Sequence, residues 1–320
     1  MLSFRPQLLT RKRLLTSALF AFFILLSAIS SFSAEPIHSA GNAPIRIKGS
    51  FVIAAVCKDG IIVASDSRGT LKDHQGRRIA YYDINQKIFP IGDKLIADTG
   101  YASLNDPKIS FLSTLMSNFA ASPNSRVAVD ALPDSYFAYA SRVLPASGAA
   151  SARLQTLFFG GFKSGQPMLC MYQGETNRQT KCRLSGYLSS PSQTISKLEN
   201  VGSLSFEQAA QIMRRTIDDY AAAVQPGSVG GPVVIRTITK EASQWLETPP
   251  LWPNWQSFVD LAQDYKDDRI PFHLMPGIAK EQLDALIEDG AAWSRLGQQA
   301  PSLQKPGVDG PIIGSYDKTH

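Results

Sequence analysis

The chain has 320 residues, 44% of them hydrophobic and 18% charged, a balance that excludes a disordered protein and leaves room for a sizeable core. Its formal net charge is +5, but Arg5, Arg11, Lys12 and Arg13 stand in an acid-free stretch of 34 residues, and without that stretch the charge falls to +1. Composition therefore offers no case for nucleic-acid binding, and three cysteines are too few for a disulfide-built scaffold.

Residues 1–34 read as an export signal: a basic start, an apolar run from Leu14 to Ile29, and the small residues Ser31-Phe32-Ser33-Ala34 before a cut after Ala34. The run is short for a membrane span. Membrane contact is thus expected only through the signal, and the mature protein is expected to be secreted or periplasmic. Residues 35–49, with Pro36, Gly41 and Pro44, are either a mobile leader or a pro-segment.

The spacing then predicts a strand over Phe51 to Cys57, a hairpin turn at Lys58-Asp59-Gly60, and a strand from Ile61 to Ala64. That strand ends in Ser65-Asp66-Ser67-Arg68, polar groups that are costly beside a buried strand pair unless they are partnered. A polar hairpin turns around Asp73-His74-Gln75-Gly76. A further strand, Gln86 to Ile91, carries Lys87 inside an apolar run, and Ile96 to Gly100 ends another in a turn. Asp106-Pro107 reads as a helix start ahead of Ile109, Leu112, Leu115, Met116 and Phe119, and Arg126 to Leu144 as a second helix with Pro133 at its beginning or at a kink.

A hairpin from Leu154 to Tyr172 turns at Lys163-Ser164-Gly165-Gln166, and Cys182 to Leu188 forms one more strand. In an oxidising compartment Cys170 and Cys182 can bridge neighbouring strands and leave Cys57 buried and free; three buried thiols are the alternative. Ser205 caps a long helix that carries Phe206, Ala209, Met213, Ile217 and Tyr220 on one face, and Val233 to Ile238 is the next strand. Beyond Lys240 comes a Pro- and Trp-rich strap, Trp245 to Trp255. A helix over Lys280 to Leu296 and a Pro- and Gly-rich end follow.

The four histidines, His38, His74, His273 and His320, have no metal-ligand spacing, and neither a Gly-x-Ser-x-Gly elbow nor a phosphate-cradling loop occurs. No metal or cofactor is expected. What stands out is one hydroxyl at a strand start, one carboxylate and one ammonium within a single predicted sheet: Ser50, Asp66 and Lys87.

In order, Gly49-Ser50, Lys58-Asp59-Gly60-Ile61-Ile62-Val63-Ala64-Ser65-Asp66-Ser67-Arg68, Lys87-Ile88-Phe89-Pro90-Ile91 and Asp98-Thr99-Gly100-Tyr101 resemble the proteasome β-subunit type of N-terminal nucleophile hydrolase. The stretch FFGGFKSGQPMLCMY resembles a hairpin of the same family, and the resemblance spans residues 49–240. It implies an α+β fold, a four-layer α/β/β/α sandwich over 50–240, with residues 241–320 as a partly helical extension. It also implies a cut after Gly49 that frees the Ser50 α-amine. Such an amine, with an unperturbed pKa of about 7.7–8.0, serves as base to its own hydroxyl. Lys87 would tune that hydroxyl, Asp66 would anchor Lys87, and the Gly100 N–H would hold the oxyanion.

The substrate implied is a peptide or small amide, with a homo-oligomer as an open partner and no nucleic acid. The sequence departs from the family in two places. Serine stands for the usual threonine, and the stretch Val224 to Gly231 lacks the aspartate that active members carry there. A partner serine is expected at Ser189 or Ser190. Two other readings follow: a non-catalytic relative that keeps the fold as a scaffold, and a serine hydrolase that uses His74.

Overall fold

Two antiparallel sheets share one apolar interior, and the strand pair predicted at the start of the sequence lies in the middle of the first. In the computed structural model the described residues are 43–174, 180–192, 195–224, 227–247, 249–250 and 252–299. The expected export signal, the first part of the leader and the Pro- and Gly-rich end lie outside them. β2 (Val52–Cys57) and β3 (Gly60–Ser65) pair in register from Val52 opposite Ser65 to Cys57 opposite Gly60. All twelve of their residues are buried, which is why both read as unbroken apolar runs. β11 (Gly186–Ser190), β12 (Val234–Ile238) and β13 (Ser243–Trp245) complete the first sheet, in the order β11-β2-β3-β12-β13.

The second sheet runs β10-β9-β8-β7-β6, from β10 (Thr180–Arg183), β9 (Gln166–Gln173) and β8 (Thr156–Lys163) to β7 (Lys94–Thr99) and β6 (Ile88–Ile91). Val52, Ala54 and Val63 of the first sheet and Ile88, Leu95 and Phe158 of the second form one buried cluster. The other face of the first sheet, with Ile53, Ala55 and Ile62, lies under Phe206, Met213 and Ile217. These sit on α4 (Phe206–Ala223), which Ser205 and Gln208 close with a reciprocal capping box. On the far side of the second sheet, Phe89, Ile96 and Phe159 meet Leu115 and Phe119 of α1 (Leu112–Ala121) and Tyr136 of α2 (Leu132–Val143). A short α3 (Ala146–Arg153) follows. The architecture is mixed α+β, with three antiparallel sheets and six α-helices among the described residues.

Several expectations need correction. The helix expected from Asp106 begins at Leu112 instead, because Asp106 folds its carboxylate back onto the Lys108 and Ile109 amides and closes a turn. The single strand expected from Cys182 to Leu188 is two. Leu184-Ser185 carries the chain from β10, in one sheet, to β11, in the other. Cys170 and Cys182, opposite each other in β9 and β10, form a disulfide, and Cys57 is free and buried.

The largest difference is a third sheet. β4 (Gly69–Lys72) and β5 (Arg78–Tyr82), the predicted polar hairpin, take β1 (Arg46–Lys48) on one side and β14 (His273–Leu274) on the other. The end of the leader is therefore not a loose segment: Ile45 and Ile47 are wholly buried. They pack with Trp255, with Phe258 and Leu261 of α5 (Phe258–Lys266), and with Leu286 and Ile287 of α6 (Lys280–Gln299). Polar residues hid this strand from composition, because its alternating pattern puts Ile45 and Ile47 inward and Arg46 and Lys48 half out. α5, which the sequence did not suggest, is capped by Ser257, whose hydroxyl accepts from the Val259 amide. The described residues, from Ala43 to Gln299, belong to one compact unit. Among the described residues no helix is long and apolar enough to cross a membrane.

Candidate active site

β3 ends at Ser65, and the next residue points its carboxylate into a fully buried space. Asp66 Oδ1 accepts from Lys87 Nζ at 2.8 Å and from the Phe51 amide at 2.7 Å. Its Oδ2 accepts from the Gly230 amide at 3.0 Å and the Arg68 amide at 3.3 Å. Neither Asp66 nor Lys87 has any exposed side-chain surface. Burial pulls the Lys87 ammonium below its ordinary pKa, with the Asp66 carboxylate opposing that shift. A second carboxylate, Asp98, lies on β7 beside Lys87, its amide donating to the Lys87 carbonyl at 2.9 Å. Burial raises the Asp98 carboxyl to about 7, against the pull of Lys87.

Ser50 joins β1 to β2 and is half-buried. Its hydroxyl donates to the Gly49 carbonyl at 2.6 Å, so the oxygen lies against the peptide bond that precedes it. The next amide, Phe51 N–H, is the one held by Asp66, so the residue after Ser50 and Lys87 meet at the same carboxylate oxygen. Gly49 has φ +124°, and a Cβ there would stand 2.3 Å from the Ser228 carbonyl oxygen, so only glycine fits between the strand and that loop. The Gly49 amide donates to the Gly100 carbonyl at 3.3 Å. Gly100 itself has φ +126°, and the Gln155 amide oxygen fills the place of its missing side chain. Thus Asp66 and Lys87 pair directly, Ser50 precedes the residue whose amide Asp66 holds, and Gly100 meets the chain through the Gly49 amide.

The loop that lacks the expected aspartate is held by backbone groups instead. Thr70 donates to the Gly227 carbonyl, Gly230 gives its amide to Asp66, and Ser67 Oγ donates to the Pro232 carbonyl at 2.8 Å. Arg68 braces the loop. It forms a two-pronged pair with Asp83, Nε to Oδ1 at 2.6 Å and Nη2 to Oδ2 at 2.9 Å, and lies over the Tyr81 ring. A Cβ on Gly230 would press on the Arg68 guanidinium at 2.7 Å. Sequence reading missed Asp83; its signal was a lone acid between two apolar residues shortly before Lys87.

Of the two candidate partner serines, Ser190 meets Thr99 across the sheets, oxygen to oxygen at 2.8 Å. Ser190 and Ser65 both stand opposite Val52, two residues from Ser50. Ser65 Oγ is buried with no hydrogen-bond partner among the described residues. His74 is exposed in the β4–β5 turn, and the pairing of Lys48 with Thr70 puts that turn at the far end of the hairpin from Ser50. Among the described residues no group of three or more His, Cys, Asp or Glu could hold a metal ion.

No family model matches the chain, and no curated protein matches it. What distinguishes the site is its own geometry: a hydroxyl on a carbonyl, and a buried ammonium–carboxylate pair that holds the amide of the next residue.

Proposed function

We propose that this chain is an exported amide or peptide hydrolase of the N-terminal nucleophile type, with a four-layer α/β/β/α body, whose Ser50 becomes N-terminal by self-cleavage after Gly49. One observation carries the reading: the Ser50 hydroxyl lies 2.6 Å from the Gly49 carbonyl oxygen, while Asp66 links the following amide to Lys87.

In the first step Ser50 Oγ attacks the Gly49 carbonyl carbon and the Gly49–Ser50 C–N bond breaks. The hydroxyl proton passes to the departing nitrogen, leaving an ester. Water then splits the ester, releasing the Gly49 carboxylate and restoring the Ser50 hydroxyl beside the amine freed in the first step. In turnover the amine takes the proton as Oγ attacks a substrate amide, then gives it to the leaving nitrogen. Water hydrolyses the acyl-serine. Lys87 supplies a positive field beside the hydroxyl, which favours its ionised form. Asp66 keeps that ammonium in place. With serine in place of threonine the nucleophile lacks the methyl group that restricts its rotamers.

A second reading has one specific observation in its favour. Asp66 is engaged by three backbone amides besides Lys87, as a purely structural pin would be. Under it the protein is a non-catalytic scaffold of the same fold. Intact mass of the purified chain separates the two. A species beginning at Ser50, lost in Ser50→Ala together with all amide hydrolysis, is expected; an uncut 49–50 bond in the wild type supports the scaffold.

A further inference from the structure

β1 is held along both edges and on its inner face, and each of these contacts is made by residues upstream of the 49–50 bond. On one edge Arg46, Ile47 and Lys48 pair with Lys72, Leu71 and Thr70. On the other edge the Ile47 carbonyl accepts from the Ala102 amide at 2.8 Å, the Ile47 amide donates to Ser103 Oγ at 2.9 Å, and Lys48 bridges to Tyr101. At its start the Ala43 amide donates to Asn105 Oδ1 at 2.8 Å. Below, Ile45 and Ile47 are wholly enclosed by the cluster built from β4, β5, α5 and α6. α6 makes room for the leader with a glycine, since a Cβ on Gly290 would come within 2.4 Å of Ile45 Cδ1.

Breaking the Gly49–Ser50 bond severs none of these contacts. We infer that the leader is not discarded on maturation but stays as a separate, non-covalently bound strand, held by the C-terminal helices that close over it. This rests on the proposed self-cleavage. The helices α5 and α6 thereby acquire a purpose: they complete a core that needs Ile45 and Ile47, and losing the strand would open that core to water. Retention also leaves the outer edge of β4 paired.

The test compares one preparation of the full-length chain, expressed with its export signal, under two conditions. Denaturing mass spectrometry reads the covalent state; native mass spectrometry, after size exclusion, reads what stays together. Expected is a denaturing spectrum with two fragments, one ending at Gly49 and one beginning at Ser50, and a native mass equal to their sum at a ratio of one to one. A native mass matching the Ser50 fragment alone, with the cut made, overturns leader retention while leaving the proposed function standing. An uncut chain under denaturing conditions overturns both.

Discussion

Replacing Asp66 with asparagine changes one oxygen to NH2 in a site where all four neighbours are donors. Two of them, Lys87 Nζ and the Phe51 amide, meet Oδ1 at 2.8 and 2.7 Å, and the Gly230 amide meets Oδ2 at 3.0 Å. Whichever way the amide is turned, it sets a donor against a donor and leaves the fully enclosed Lys87 without its counter-charge. Breaking a buried pair from one side costs about 3–5 kcal/mol. For a domain of this size each kcal/mol lowers Tm by roughly 2–4 °C, so Asp66→Asn should melt about 6–20 °C below wild type. Lys87→Met removes the ammonium but leaves the carboxylate its three backbone amides, and should cost less. The double variant should recover part of the loss. Thermal unfolding by circular dichroism at pH 7 reads all three. An Asp66→Asn protein within about 1 kcal/mol of wild type, or no less stable than Lys87→Met, would refute the reasoning that this pair is buried and mutually dependent.

Three further outcomes follow. Gly49→Ala forces a side chain at φ +124° into the Ser228 carbonyl 2.3 Å away, so the 49–50 cut should slow markedly in a time course of intact mass; wild-type kinetics would contradict the crowding. Ile47→Ala empties a fully buried site and should cost about 2–5 kcal/mol in denaturant unfolding, whereas a leader that merely rests on the surface would lose almost nothing. Asp98 has its carboxyl raised to about 7 by burial, so the folded protein holds that proton where the unfolded chain releases it. Its contribution is complete below the ordinary carboxylate range and is lost as pH rises toward 7. Asp98→Asn should therefore flatten the decline in Tm between about pH 4 and 7, and an unchanged slope would show that Asp98 does not cause it.

Local signals account for much of what the sequence made legible. β2 and β3 are apolar on both faces, so their positions needed only a run of hydrophobic residues and a Lys58-Asp59-Gly60 turn. α4 announced itself by Ser205 and a helical stripe, and Asp66 and Lys87 by being charges in apolar runs, which must find each other or be expelled. Glycines at 49, 100 and 230 marked places where backbone had to pass close, although not what it passed.

What tertiary structure alone decided is pairing between distant segments. That the leader is a strand depends on Leu71, Phe258 and Leu286, residues scattered along the chain, because a half-polar stretch of a few residues becomes buried only when others cover it. That a loop without an aspartate can still engage Asp66 depends on the direction of one Gly230 N–H, and backbone direction leaves no trace in residue type. The residue order was enough to single out Ser50, Asp66 and Lys87. Folding determined that Lys87 and the amide following Ser50 share a single Asp66 oxygen, and that the strand leading up to Ser50 is enclosed with residues of α5 and α6.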